Sequence, residues 1–212
     1  MIGRMLLNYG ELEMMLGTAL GYALNNQSRT ALRVLFRVTG ESARLSAADA
    51  LMRDYYIKNG KGAEYADMLG AFRWCTKLRN QYAHCHWADH HHAGLFFTDL
   101  SEPAKANDTF DFWFRHVDLQ LLEQQKSFFD YTGDCLTHLD FEGERLHGMR
   151  PGHVFPMPSK RKRPSLHNPP EQHIPPWLTE EQKQRHIARA QAQKPSADPP
   201  KDKDWIVRFP TT

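Results

Sequence analysis

Arg79, Asn80, Tyr82, His84 and His86 stand close together in the chain, and their types suit the handling of an anion. A guanidinium grips an oxyanion through a planar fork of donors. A side-chain amide donates or orients a neighbour, and an imidazole changes charge near neutral pH. These residues end the stretch Tyr65–Trp87, whose first two thirds have the pattern of an amphipathic helix. Met68, Leu69, Phe72, Cys75, Leu78 and Tyr82 recur at spacings of three and four, the period of one helical face. Asp67, Arg73, Lys77 and Gln81 fall mostly on the other side. No proline interrupts the run, and Gly60 and Gly62 mark a turn before it. On such a helix Asn80 and His84 are four apart and share a face. Arg79 lies about 100° round from Asn80, within reach of a long side chain. The spacing therefore predicts a cation, an amide and an imidazole converging on one anion near the helix end. Lys77, Tyr82 and His86 are further candidates for holding the substrate. Tyr82 sits on the apolar face and reads first as core. His86 falls opposite His84 if the helix continues, and reads first as a surface residue.

The run Arg79-Asn80-Gln81-Tyr82-Ala83-His84 resembles the signature of the HEPN domain superfamily: an Arg, a polar residue, and a His after four to six intervening positions. The apolar helix leading in and Tyr9-Gly10-Glu11-Leu12-Glu13 in a long first helix resemble the same domains. The resemblance covers roughly residues 1–146 and does not touch the remainder. It implies a metal-independent endoribonuclease without cofactor. The RNA 2′-OH would attack the adjacent phosphate, leaving a 2′,3′-cyclic phosphate and a 5′-OH. His84 would move protons, Arg79 would hold the phosphate and its developing charge, and Asn80 would orient either. It further implies a C2 homodimer with facing motifs, a toxin or host-defence setting in the cytoplasm, RNA as partner, and a neutralising antitoxin-type protein. Other members of the superfamily are non-catalytic scaffolds that bind nucleotide, RNA or protein, and Arg79, Asn80 and His84 are open to that role too.

The elements that must position these residues are mainly helical. Residues 2–25 predict a first helix with Met5, Tyr9, Leu12, Leu16, Ala19, Leu20 and Ala23 inward. Glycines at 3, 10, 17 and 21 suggest close packing against a helix of this chain or of a second copy. Glu11 and Glu13 are solvated, or one pairs with an Arg. Asn25-Asn26-Gln27 is a loop and Ser28 a fitting N-cap. Residues 29–39 form a second helix with Leu32, Leu35 and Phe36 inward. Residues 42–57 form a third, with Leu45, Ala48, Leu51, Met52, Tyr55 and Tyr56. After the Tyr65 helix, His90 to Gly94 read as a turn. Leu95–Thr98 and Phe110–Phe114 are short, aromatic and β-prone, and either pair as a hairpin or drape over the helices. Asp118 caps a fifth helix to about Leu146, with Leu119, Leu122, Phe129, Leu136 and Leu139 inward and a bend at Gly133. The expected body is thus an up-and-down bundle of about five helices over residues 1–148, with a short β-prone aromatic insertion.

Composition changes after it. Twelve of the 13 prolines lie between Pro151 and Pro210, and Lys160-Arg161-Lys162-Arg163 is a basic run. Residues 1–150 hold 16 Lys+Arg and 19 Asp+Glu, net −3; residues 151–212 hold 11 and 6, net +5. A proline-rich basic extension over 149–212, largely disordered, is expected. Thr179 and Gln182 resemble a capping box for a short helix over 180–193, and Trp177-Leu178 and Trp205-Ile206-Val207 are apolar islets.

Several classes drop out. Cys75, Cys85 and Cys135 include no C-x-x-C pair and fit free thiols. His84, Cys85, His86, His90, His91 and His92 are dense in ligand types, yet their spacings match no strong zinc pattern, so no metal is expected. There is no P-loop, no dinucleotide fingerprint and no nucleophile elbow. No apolar run approaches a membrane span, and Glu11 and Glu13 break the N-terminal run, so no secretory leader is expected.

Overall fold

The computed structural model describes residues 1–90, 92–104, 112–149 and 151–192. The chain is mainly helical with one small antiparallel sheet. Helix α1 (Ile2–Ala23) packs on α2 (Ser28–Leu35), α3 (Glu41–Lys58), α4 (Gly62–Ala83) and the long helix over Leu119–Leu146. Its predicted stripe holds: Met5, Tyr9, Leu12, Leu16, Ala19 and Leu20 are all buried. Every apolar residue predicted on the α4 face (Met68, Leu69, Phe72, Cys75, Leu78, Tyr82) is buried as well. A fully buried Leu, Met or Phe contributes about 1.5–3 kcal/mol relative to exposure, so this face fixes where the end of α4 points.

Two of the α1 glycines mark a close approach. A Cβ on Gly17 would meet Leu32, and one on Gly21 would lie 2.6 Å from the Ser28 Cα. Ser28 is therefore the packed first residue of α2, and Gln27 takes the cap position. Around Gly3 and Gly10 there is open space. The predicted pairing of α1 with an arginine is Glu13 with Arg44 of α3. Some residues expected inward lie outward: Phe36 is exposed beyond the end of α2, and Leu51 is exposed on α3. Leu119 is exposed because it opens its helix ahead of the first turn that packs.

The region after α4 departs most from expectation. Residues 85–90, expected to lead out of a helix, form strand β1 (Cys85–His90). It pairs antiparallel with β2 (Gly94–Asp99) in a hairpin the sequence does not announce. His90 and Gly94 are the last pair before its tip. The expected antiparallel pairing of Leu95–Thr98 with a segment beyond residue 109 is present as well, but its partner is residues 115–117. Gly94 has φ +90°, a conformation that favours glycine, and a Cβ there would lie 2.7 Å from the His116 Nε2. His91 and residues 105–111 lie outside the described residues, and Phe112–Phe114 is not a strand. After α5 (Ser101–Ala104), β3 (Arg115–Val117) closes the sheet on β2, with Phe97 opposite Arg115. Helix α6 (Leu119–Leu146) follows, and the Asp118 Oδ1 accepts from the Leu121 N–H (2.7 Å), the predicted cap.

Residues 151–178, expected to be disordered, lie on the body as an extended strap across α4 and α6. The reason is the backbone chemistry of proline-rich chain. Prolines lack N–H donors but keep carbonyl acceptors, and the body presents donors to them. Trp74 Nε1–H donates to the Pro164 carbonyl (3.0 Å), and Gln81 Nε2–H to that of Leu166 (2.8 Å). Gln125 Nε2–H donates to Ser165 (2.7 Å), and the His138 ring meets the Phe155 carbonyl (2.6 Å). The basic run is engaged too: Lys160 pairs with Asp67 (2.5 Å), and Arg163 lies over the Trp74 ring. The apolar islet docks, with Trp177 against Phe96, Phe114 and His90. Helix α7 (Glu180–Ala192) opens on the predicted capping box, Thr179 N–H to Gln182 Oε1 (3.0 Å) and Gln182 N–H to Thr179 Oγ1 (3.3 Å). Residues 193–212, including Trp205-Ile206-Val207, lie outside the described residues. No helix among the described residues is long and apolar enough to cross a membrane.

Candidate functional site

The buried face of α4 carries its last turn to the sheet, and an open cleft of about 800 Å³ lies between them. Lys77, Asn80, Gln81 and His84 line it from α4 and its C-cap. Asp99, Ser101 and Arg115 line it from the strand side, and Leu166 and His167 from the strap. The cleft thus joins parts of the chain separated by about 90 positions, held together by the strap contacts to Trp74, Gln81 and Gln125.

The predicted residues divide. Asn80 and His84 share the cleft, as the helical spacing requires, and His84 is solvent-exposed there. Lys77 also lines it, with its ammonium 5.3 Å from the Trp74 ring centroid. Arg79 is not among the lining residues. Its guanidinium pairs with Glu41 at the head of α3 (2.6 Å) and lies over the Tyr9 ring. It also donates to the Asn80 Oδ1 (3.1 Å). Arg79 therefore stands one contact behind the cleft. By occupying the Asn80 oxygen it fixes that amide, leaving the NH₂ end directed elsewhere.

Tyr82 is core, not cleft. Its hydroxyl donates to the Gln125 Oε1 (2.5 Å), and burial pushes the phenol well above its usual range, so it stays protonated. His86 is exposed on β1, opposite Thr98, because the helix has already ended. Strand alternation spreads the other ligand-type residues apart, and among the described residues no three His, Cys, Asp or Glu side chains converge on a common point. Burial pushes the Cys85 and Cys135 thiols up to about 11 and that of Cys75 up to about 12, which leaves them poor nucleophiles.

The chain matches no protein-family model, no curated protein and no solved structure.

Sequence reasoning missed Arg115 and His167. Arg115 replaces Arg79 as a guanidinium on the cleft wall. It opens a strand of three residues, too short for its alternation to stand out. His167 lies in a segment whose composition signals no fold. The local signal that could have found it is the dense run His167-Asn168-Pro169-Pro170, polar hydrogen-bonding groups beside prolines that stiffen the backbone.

With Lys77, Arg115, Asn80 and His84 on one wall system, the cleft can bind an oxyanion and exchange a proton beside it. Those are the requirements for a phosphodiester transfer that uses no metal: charge neutralisation, orientation, and an imidazole in reach.

Proposed function

We propose that the protein is a metal-independent endoribonuclease of the HEPN-like type. The observation that carries the reading is the convergence of Asn80 and His84 with two cationic side chains, Lys77 and Arg115, on one open cleft. The RNA 2′-OH gives up its proton and its oxygen attacks phosphorus. The P–O5′ bond breaks, and O5′ takes a proton, leaving a 2′,3′-cyclic phosphate. His84 takes part in this proton transfer, Lys77 and Arg115 hold the phosphate oxygens, and Asn80 donates to one of them. Arg79 acts as a positioning residue through Asn80. The mainly helical body is consistent with a HEPN-like bundle, and the resemblance adds a homodimer, a cytoplasmic toxin or defence role and a neutralising protein partner.

One observation favours a second reading. The pairing of Arg79 with Glu41 is the arrangement a structural arginine adopts, and it suits a scaffold whose cleft binds RNA or nucleotide without cutting it. The two readings separate in one assay. Purified protein is incubated with total RNA in EDTA, wild type beside His84→Ala and Lys77→Ala/Arg115→Ala. The nuclease reading expects cleavage with 2′,3′-cyclic ends, insensitive to EDTA and lost in both folded variants. Retention of labelled RNA with no cleavage by the wild type, over varied sequences, would leave the scaffold reading standing instead.

A further inference from the structure

We infer that His167, delivered by the strap, is the proton acceptor of the cleft and the partner of His84, so that the site is complete only with the strap docked. The inference rests on the nuclease reading above and deepens it.

Transfer of phosphorus between two oxygens needs a proton removed from O2′ and one delivered to O5′. One imidazole cannot stand on both sides of an in-line displacement at once, so a cleft with a second, well-held imidazole is better suited than one without. His84 and His167 both line this cleft, from α4 and from the strap.

The strap holds His167 by a hub at the next residue. Asn168 is buried, and its side-chain NH₂ lies within hydrogen-bond distance of the His116 Nδ1 (2.9 Å), the Asp118 Oδ2 (2.9 Å) and the Gln172 Oε1 (2.7 Å), three acceptors that share its two hydrogens. Its backbone N–H donates to the His116 carbonyl (2.9 Å). His116 in turn uses Nε2–H on the Ala93 carbonyl (2.8 Å), because its Nδ1 accepts from Asn168. One residue thus ties the strap to β3, the hairpin tip and the head of α6. The Asn168 carbonyl then accepts from two imidazoles, the Nδ1–H of His167 (3.0 Å) and the Nε2–H of His173 (2.6 Å). The two rings meet edge to face with centroids 4.8 Å apart.

That geometry sets the tautomer. A carbonyl only accepts, so Nδ1 of His167 carries the hydrogen, and the lone pair of the neutral ring is on Nε2. Burial, joined by the nearby Arg115 charge, holds the ring below the usual imidazole range and so neutral at pH 7. A neutral, fixed imidazole with Nε2 as its open nitrogen is a proton acceptor. His84, exposed at the end of α4, exchanges with solvent and serves as the donor to O5′. The titratable groups that line the cleft together with His167 are Lys77 and His84 from α4, Asp99 from β2 and Arg115 from β3. The His173 ring faces it from the hub side, and His116 and Asp118 hold the adjoining Asn168.

The test measures kcat and KM across pH 5–9 on a defined RNA for the full chain, with His84→Ala, His167→Ala and His167→Gln, and unfolding curves for each. A positioned acid or base contributes about 10²–10⁴-fold. The expected result is that both His167 variants fold, lose at least a hundredfold in kcat with little change in KM, and lose the acidic limb of the pH profile. His84→Ala loses kcat by a similar factor, because O5′ is left without its donor. Added imidazole should restore part of the His167→Ala rate, which a merely structural role would not allow. If His167→Ala cuts like the wild type, or its loss is neither rescued by imidazole nor accompanied by a changed profile, the assignment of His167 is overturned while the nuclease reading survives. If the wild type cuts no RNA, the nuclease reading falls and this assignment falls with it.

Discussion

At the scale of the residue, two neighbours at the end of α4 sit in opposite environments, and the nuclease reading proposed above predicts opposite effects for their removal. Tyr82 is buried against Gln125, itself fully buried, whereas His84 is exposed in the cleft. Removing the Tyr82 hydroxyl leaves a buried acceptor without that partner, which costs about 1–3 kcal/mol. Tyr82→Phe should therefore lower stability by that amount in urea unfolding and leave RNA cleavage close to wild type. His84→Ala should do the reverse, staying within about 0.5 kcal/mol of wild type in stability, as exposed substitutions do, while abolishing cleavage. A Tyr82→Phe protein with full stability and no activity would reverse both assignments. Both residues were legible in the sequence because helical period alone places Tyr82 inward and Asn80 with His84 on one side. Arg79 was half legible. Its position on the helix was plain, but Glu41 lies 38 residues before it, and nothing local announces that pairing.

At the scale of the element, α1 and α6 pack through their small residues unequally. A Cβ on Gly143 would fall 2.3 Å from the Tyr22 ring, whereas one on Gly133 would make only ordinary contact with Leu12 at 3.7 Å. Overpacking costs about 1–3 kcal/mol, while alanine in place of a helix-interior glycine gains roughly 0.5–1 kcal/mol. Gly143→Ala should destabilise and Gly133→Ala should stabilise, measured by the shift in urea midpoint. Equal effects would mean that α1 and α6 are spaced differently. The helices themselves were readable from period and caps, Asp118 and Thr179 among them. Strand β1 was not, because Cys85-His86-Trp87-Ala88-Asp89-His90 has its polar residues at 86, 89 and 90, out of strict alternation, and no β-branched residue. The strap was not readable either, since composition counts apolar side chains and ignores a row of backbone carbonyls facing Trp74, Gln81 and Gln125. Its attachment should respond to acid. Burial, outweighing the Asn168 carbonyl contact, holds His173 down to about 4, and His167 is held down in the same direction. A folded pKa below the unfolded value near 6.5 means that the released strap binds protons more readily. Docking is then at full strength above about pH 6.5 and weakens as pH falls from there towards 4. Trp74 donates to the strap, so tryptophan emission followed against pH should change in that window, and the change should shrink in His173→Gln. A flat signal over pH 4–7 would count against this account of strap docking.

At the scale of the whole molecule, the resemblance calls for two copies, and α1 offers a surface for the second. Leu7 is 76% and Met14 52% exposed, and open space surrounds a Cβ at Gly3 and Gly10. Residues 3, 7, 10 and 14 follow steps of four, three and four, the spacing of a helix–helix seam. Glycines on such a seam let two backbones approach closely, and the exposed Leu and Met are the apolar groups left over after the core is filled. The fold uses Gly17 and Gly21 of the same helix internally, against Leu32 and Ser28, so the helix separates an inner set of glycines from an outer one. The expected mass in light scattering at micromolar concentration is twice 24.6 kDa. Leu7→Glu on both copies would place like charges on the seam and should reduce that mass to a single chain while leaving the unfolding cooperative, because Leu7 contributes little to the core. If cleavage falls with the mass, the two clefts depend on one another as facing motifs would. If cleavage per chain is unchanged in the monomer, each cleft with its own strap is a complete site. A wild type that is monomeric throughout, or a Leu7→Glu dimer, would remove α1 as the contact.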